Sequence, residues 1–262
     1  MLPLNTLKGQ VAIITGGGTG LGRAMALEYS RLGAKLVLAS RSQEHLEPTV
    51  KEITDSGGQA IGIVTDVRDP VQVDRMVHQT KEKFGGIDIL INNAAGNFIC
   101  KAEDLSPNGW RVVVDIVLNG SFYCSRAVGK EMIAQKRGGN ILSILATYAW
   151  TGGPGTIHSA AAKAGVLSMT RTLAVEWAQY GIRVNAISPG AVETEGAGSK
   201  LWATPESRAK LLGKIPVGRM GTPQEVADAA AYLVSDYAKY INGENLVMDG
   251  GAWLGRGHLA TQ

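Results

Sequence analysis

The chain has 262 residues, 45% hydrophobic and 19% charged, and its formal net charge is +3. This composition is typical of a globular protein, and the scattered charges predict no surface for nucleic acid. No apolar run of membrane-spanning length is present, and residues 1–8 lack the pattern of a signal peptide. We therefore expect a cytoplasmic protein that binds no membrane.

Short apolar runs alternate with amphipathic stretches along the chain. The predicted strands are residues 11–14, 35–39, 60–64, 87–91, 140–144, 183–187 and 245–248. The predicted helices are residues 21–32, 44–56, 70–84, 110–135, 157–180 and 223–235. This alternation predicts a Rossmann-type, doubly wound α/β fold with about seven parallel strands and helices on both faces. We expect one dinucleotide-binding and catalytic domain over residues 1–262, with a substrate lid at residues 191–214.

The first predicted strand runs into a glycine-rich loop that opens the first helix. The loop reads Thr15, Gly16, Gly17, Gly18, Thr19, Gly20, Leu21 and Gly22. Glycines let the backbone turn tightly and approach a pyrophosphate, and the helix N-terminus supplies free N–H groups and a positive dipole end. The loop therefore predicts a dinucleotide site.

The second strand ends at Ser40 and Arg41, where NAD-binding chains of this fold usually place an acidic residue. A guanidinium pairs instead with a 2′-phosphate, and Arg23 adds a candidate second charge. The sequence therefore predicts NADP(H) as the cofactor. A solvated surface role for Arg41 is the alternative.

With these motifs the chain resembles the short-chain dehydrogenase/reductase family over essentially its whole length. The resemblance implies that Asp66 contacts the adenine, that Lys163 binds the nicotinamide ribose and that Thr194 bonds the nicotinamide amide. Asn119 is implied to have a supporting catalytic role. The other cofactor-binding positions that it implies are Val67, Asn93, Ala94, Ala95, Pro189, Gly190 and Val192. Members are commonly tetramers, which implies a homotetramer here.

The usual catalytic tyrosine and serine of that family are absent. Their positions hold Ser159 and Ala146, and neither residue replaces a phenol as a proton donor. Tyr148 stands close by, after the fifth strand. With Asn97 and the segment from Ser159 to Lys163, it resembles the 2,4-dienoyl-CoA reductases, in which the residues at these two positions bind the thioester carbonyl.

This arrangement suits reduction of an acyl-CoA thioester. Hydride added at C5 of a 2,4-dienoyl-CoA moves negative charge onto the distant thioester oxygen, where Tyr148 and Asn97 would form an oxyanion hole. Ser159 lies one helical turn from Lys163 and is predicted to hold its ammonium or a cofactor group. His158 faces a different side of that helix, so we do not expect acid–base catalysis from it.

Two other interpretations remain open at this point. One is carbonyl reduction of another substrate, with Tyr148 as proton donor. The other is a non-catalytic cofactor-binding protein.

No motif marks a site for the CoA moiety, for which Lys200 and Arg208 are candidates by location only. Cys100 and Cys124 form no CxxC pair and suggest no metal site.

Overall fold

A computed structural model describes residues 2–194 and 204–255. The strands are β1 Val11–Thr15, β2 Lys35–Ser40, β3 Gln59–Val64, β4 Ile89–Asn92, β5 Gly139–Ile144, β6 Ile182–Pro189 and β7 Asn245–Met248. The helices are α1 Gly20–Arg31, α2 Gln43–Asp55, α3 Pro70–Phe84, α4 Pro107–Val114, α5 Gly120–Gln135, α6 Tyr148–Thr151, α7 Ile157–Trp177, α8 Pro205–Leu212 and α9 Pro223–Val234.

The strands form one seven-stranded sheet in the order β3-β2-β1-β4-β5-β6-β7. Every neighbouring pair is parallel. The order reverses between β1 and β4, so the loops after these two strands part from each other and leave a crevice at the carboxyl edge. The doubly wound fold predicted from the alternation is confirmed, and the crevice is where a dinucleotide is expected.

Two apolar layers hold the helices on the two faces of the sheet. The first joins α1, α2 and α9 to the sheet, and its fully buried members include Met25, Leu46 and Ala230. The second joins α3 and α5 to the other face through residues such as Met76 and Val128. Burial on both faces explains why the strands read as continuous apolar runs.

The long helix predicted over residues 110–135 is not continuous. It begins at Pro107, where the Ser106 side chain accepts a hydrogen bond from the Gly109 N–H at 3.0 Å. A π-helical turn, Asp115–Asn119, then separates α4 from α5. Such a turn accommodates one extra residue in the helix, which amphipathic periodicity does not reveal.

Two short helices were not predicted, α6 and α8. The second lies inside the predicted lid at residues 191–214, of which residues 195–203, with Lys200, fall outside the described part. The lid and the single domain over residues 1–262 therefore stay predictions. Within the described ranges, no helix is long and apolar enough to cross a membrane.

Candidate active site

The floor of the crevice is a hydrogen-bonded junction between the loops after β1 and β4. The Thr15 hydroxyl donates to Ile91 O at 3.1 Å and accepts from the Asn93 and Ala94 N–H groups, both at 3.0 Å. The Asn93 amide donates to Thr15 O at 2.9 Å and to Gly16 O at 3.1 Å. These contacts bring together Thr15, Gly16, Asn93 and Ala94, which were predicted as cofactor residues from separate motifs.

The loop glycines have different tasks. A Cβ on Gly22 would lie 2.0 Å from Gly16 O, and a Cβ on Gly18 would lie 2.0 Å from His45 O. Gly22 therefore lets α1 lie close to the Gly16 carbonyl, and Gly18 lets the loop lie close to α2. Gly18, predicted to bind cofactor, is buried, and its carbonyl accepts from the Thr49 hydroxyl at 3.0 Å.

Gly20 and Thr19 are the exposed part of the loop. Gly20 has a φ of +52°, and among the described residues a Cβ added to it would lie near the Thr194 methyl alone, at 4.0 Å. Thr19 precedes α1, and among the described residues its side chain caps no N–H group of that helix. The first turn of α1, beginning with Gly20, Leu21 and Gly22, has the N–H groups expected to bind an anion, and its contact with a cofactor stays a prediction.

The adenosine end carries two arginines around one carboxylate. Arg68 Nε donates to both oxygens of Asp66 at 2.9 and 3.0 Å, and this bond, with Arg41 contributing, holds the pKa of Asp66 below its usual value. Arg41, next to Ser40, is exposed and forms no ion pair within residues 2–194 and 204–255. Arg23 pairs with Glu52 on α2. The second phosphate cation suggested from the sequence is therefore already engaged.

Tyr148 and Ser159 are brought into direct contact. The Tyr148 hydroxyl and the Ser159 Oγ lie 3.1 Å apart, joining α6 to the first turn of α7. Burial raises the pKa of Tyr148, and the bond to Ser159 opposes this shift in part. The phenol is therefore neutral at physiological pH and retains a proton to donate.

Lys163 follows Ser159 by one turn of α7 and is 7% exposed. Its Nζ donates to Ile144 O at the end of β5. Burial lowers the pKa of Lys163 to about 8. The ammonium is thus charged at neutral pH but held in an apolar setting, where it interacts strongly with any negative charge nearby.

Asn97 lies on the exposed loop after β4. Its Oδ1 accepts the N–H of Phe98 at 2.9 Å, so its NH₂ group remains as a donor. The same loop is fixed to the α6–α7 connection because the Cys100 N–H donates to Gly155 O at 2.9 Å. The loop and α6 therefore border the same mouth of the crevice.

Comparisons with known proteins decide the family. Residues 16–252 match the sequence model of the family described as enoyl-(acyl carrier protein) reductase. The chain is 52% identical over 246 residues to a probable 2,4-dienoyl-CoA reductase, (2E)-enoyl-CoA-producing, of Bacillus subtilis, covering 94% of this chain and 97% of that one. This chain belongs to the short-chain dehydrogenase/reductase family.

Other matches extend the similarity. The peroxisomal 2,4-dienoyl-CoA reductase, (3E)-enoyl-CoA-producing, of Rattus norvegicus is 42% identical over 95% of this chain and 85% of its own length. The crystal structure of a short chain dehydrogenase from Bacillus anthracis superposes with a TM-score of 0.87 at 51% identity, covering 98% of this chain and 99% of that one. A putative NAD(P)-dependent gluconate 5-dehydrogenase from Beutenbergia cavernae, with bound NADP, gives a TM-score of 0.90 at 34% identity, covering 96% and 100%.

As a short-chain dehydrogenase/reductase the chain is an oxidoreductase that binds a nicotinamide cofactor. Asn119, predicted to support catalysis, donates from its amide to Asp115 Oδ1 at 2.7 Å within the π turn. In the described part of the chain, the Asn119 side chain forms no hydrogen bond to Tyr148, Ser159 or Lys163. Its catalytic role stays a prediction.

The remaining predicted cofactor positions frame the crevice. Val67 packs beneath Gly120, where an added Cβ would lie 2.7 Å from its Cγ2. Gly190 follows β6 and donates to Met248 O at 3.0 Å, and Val192 bridges to Gly221. Ala95 is exposed and Pro189 ends β6. Their contacts with a cofactor stay predictions.

Two residues near the site were not predicted from the sequence. Arg68 binds the Asp66 carboxylate. Its position two residues after Asp66 is the one feature of the sequence that could have suggested this pairing. Trp253 packs edge-on against Trp150 at 5.7 Å between ring centroids. Contacts between distant segments such as residues 150 and 253 leave no periodic pattern in a sequence.

Proposed function

We propose that this short-chain oxidoreductase reduces 2,4-dienoyl-CoA thioesters with NADPH, as a step in the breakdown of unsaturated fatty acids. The observation that carries the proposal is the Tyr148–Ser159 hydrogen bond of 3.1 Å. The bond holds the Tyr148 phenol beside Ser159, which occupies the position of the usual catalytic tyrosine. The proton donor therefore belongs to α6 and lies away from the position that carbonyl reduction uses. The similarity to the 2,4-dienoyl-CoA reductases of Bacillus subtilis and rat supports the same substrate class.

Bound NADPH supplies the hydride for this reaction, and C5 of the dienoyl chain accepts it. The C4–C5 π electrons shift along the conjugated system, and the thioester oxygen becomes an enolate oxygen. Tyr148 and Asn97 stabilise that oxygen by donating hydrogen bonds, which water-excluded sites make especially effective. Lys163 binds the ribose hydroxyls of the cofactor and places its positive charge near the dienolate.

The position of the final proton decides the product. A proton added at C2 of the dienolate leaves a 3-enoyl-CoA, whereas a proton added at C4 leaves a 2-enoyl-CoA. The names of the relatives differ on this point, being (2E)-enoyl-CoA-producing for the Bacillus protein and (3E)-enoyl-CoA-producing for the rat protein. We propose the 3-enoyl product, because Tyr148 donates at the thioester oxygen and C2 is the carbon nearer to it.

The test is NADPH oxidation by the purified protein with a 2,4-dienoyl-CoA, followed by identification of the product. We expect turnover and a product that lacks the conjugated thioester chromophore. A conjugated product would move the protonation to C4. Turnover of simple ketones alone would favour the carbonyl-reductase interpretation. NADPH binding without any turnover would favour a non-catalytic protein.

NADP(H) preference is expected to depend on Arg41. Arg41→Ala removes the exposed cation beside Ser40, and loss of a charge-assisted bond to the 2′-phosphate corresponds to about a 10- to 100-fold higher KM for NADPH. KM for NADH should change little, because NADH has no 2′-phosphate. Arg137→Ala, at the opposite edge of the sheet, is the matched control. Equal changes for both cofactors would contradict the assignment.

We also propose a homotetramer with an acyl-CoA site roofed by the segment around residues 191–214. On α7, Leu167 and Ala174 are buried and Trp177 packs over Gly129, so these apolar side chains belong to the core rather than to a subunit interface. Phe122 and Val175, which are 46% and 80% exposed, are better candidates for a subunit contact.

Arg208, a candidate for the CoA phosphates, pairs with Glu193. Cytoplasmic location stays the prediction from the sequence.

A further inference from the structure

His158 is completely buried in the first turn of α7, next to Ser159. Its Nδ1 accepts the backbone N–H of Ser159 at 2.9 Å. An imidazole nitrogen that accepts a hydrogen bond carries no proton, so the hydrogen of the neutral ring is on Nε2. In the described part of the chain, that Nε2 has no hydrogen-bond partner. A buried donor without an acceptor lowers the stability of the fold, and native structures contain few such groups.

The ring of Phe98 packs against the His158 ring. The centroids of the Phe98 and His158 rings lie 4.4 Å apart, and the ring planes are nearly perpendicular at 87°. The face of an aromatic ring is electron-rich and accepts weak hydrogen bonds from N–H groups. An Nε2–H directed at the face of the Phe98 ring would satisfy the otherwise unpartnered donor of His158.

Phe98 is in turn bonded to Asn97. The Phe98 N–H donates to Asn97 Oδ1 at 2.9 Å, which fixes the side-chain amide of Asn97 with its NH₂ group away from that bond. At the other end, Ser159 meets the Tyr148 hydroxyl at 3.1 Å. His158 therefore stands between the segment that carries Asn97 and the segment that holds Tyr148.

We infer that His158 is a positioning residue that sets Asn97 relative to Tyr148, through an Nε2–H contact with the face of the Phe98 ring. This inference rests on the proposed function, since the two side chains form one oxyanion hole only in that reaction. His158 touches neither hydride nor substrate. It acts by keeping the Asn97 loop in register with the first turn of α7.

Two substitutions separate this role from simple packing. His158→Asn keeps an oxygen that can accept the Ser159 N–H but removes the Nε2–H, whereas Phe98→Leu keeps an apolar side chain but removes the ring face. Because Asn97 is displaced rather than removed, we expect each to lower kcat with a dienoyl-CoA about tenfold, less than loss of a donor. KM for NADPH should stay unchanged. The double variant should be no slower than either single variant, since both break one contact.

The decisive readout is ¹H–¹⁵N NMR of the imidazole of the wild-type protein without substrate. An Nε2–H over an aromatic face gives a slowly exchanging, upfield-shifted proton signal, and Phe98→Leu should abolish the upfield shift. His78→Asn, on the exposed side of α3, is the matched control and should change neither signal nor rate. An unshifted signal, a protonated Nδ1 or additive losses in the double variant would overturn the inference.

This design keeps the two hypotheses apart. The NMR signal needs no turnover, so it can support the His158–Phe98 contact even where dienoyl-CoA is not a substrate. Suppose that the protein reduces dienoyl-CoA and shows the upfield-shifted signal, but that kcat is unaltered in both variants. The proposed function would then stand, and His158 would be excluded as a positioning residue.

Discussion

Replacement of Tyr148 by phenylalanine is expected to lower kcat with a 2,4-dienoyl-CoA by about 10²–10³-fold, the usual cost of one oxyanion-hole donor. The substitution removes the hydroxyl that lies 3.1 Å from Ser159 Oγ and leaves the ring in place. Because the pKa of the buried phenol is raised, the group is neutral throughout the physiological range. The loss should therefore be nearly independent of pH between about 6 and 9.

Stopped-flow or steady-state NADPH oxidation measures this loss, and NADPH binding to the variant should match that of the wild type. Tyr237→Phe is the matched control, because Tyr237 is 60% exposed and distant in sequence from the site. A Tyr148→Phe enzyme with near-normal kcat would remove Tyr148 from the reaction. A collapse of cofactor affinity instead would mean that the residue supports the nucleotide site.

Lys163→Met is expected to give opposite effects on activity and on stability. Activity should fall by about 10²-fold or more, because the variant loses a charge that binds the cofactor and faces the dienolate. The free energy of unfolding at pH 7 should rise by about 1–3 kcal/mol, because burial of the ammonium costs stability and methionine fills a similar volume. Such a gain would show that the buried charge of Lys163 lowers the stability of the fold and is retained for activity. Chemical denaturation and steady-state kinetics measure the two effects.

The pH dependence follows from the lowered pKa of Lys163. The folded protein releases this proton near pH 8, whereas the unfolded chain keeps it up to the ordinary value of 10.5. Between these values the unfolded state binds more protons, so wild-type stability rises with pH relative to the variant. The advantage of Lys163→Met should thus be complete below pH 8 and vanish by about pH 10.5. A stability difference that grows with pH would contradict the burial argument.

Much of the fold follows from local sequence. Each predicted strand begins and ends within two residues of an observed one, because a parallel sheet covered on both faces needs unbroken apolar runs. The π turn and α6 were not foreseen. The first arises from one extra residue in an otherwise regular helix, and the second has only four residues, too few for a period to emerge.

The candidate site was predictable in part. Thr15, Asn93 and Gly16 come from motifs of fixed spacing, and the structure joins them by hydrogen bonds. The Tyr148–Ser159 hydrogen bond was not predicted, because the two residues are 11 positions apart on different elements. Ser159 was instead expected to hold the Lys163 ammonium or a cofactor group, whereas Lys163 donates to Ile144 O. The packing role of Gly18 and the pairing of Arg23 with Glu52 depend on where α2 docks. No pattern in the first helix contains that information.

The junction of Thr15 and Asn93 has a consequence for the order in which ligands arrive. Its hydrogen bonds exist in the chain alone, so the nucleotide meets loops that are already pre-organised, and little conformational entropy is lost when it binds. The proposed thioester pocket instead draws on the exposed loop around Asn97 and on the short helix α6. We therefore expect the cofactor to enter before the acyl chain, so that turnover follows an ordered rather than a random sequential scheme.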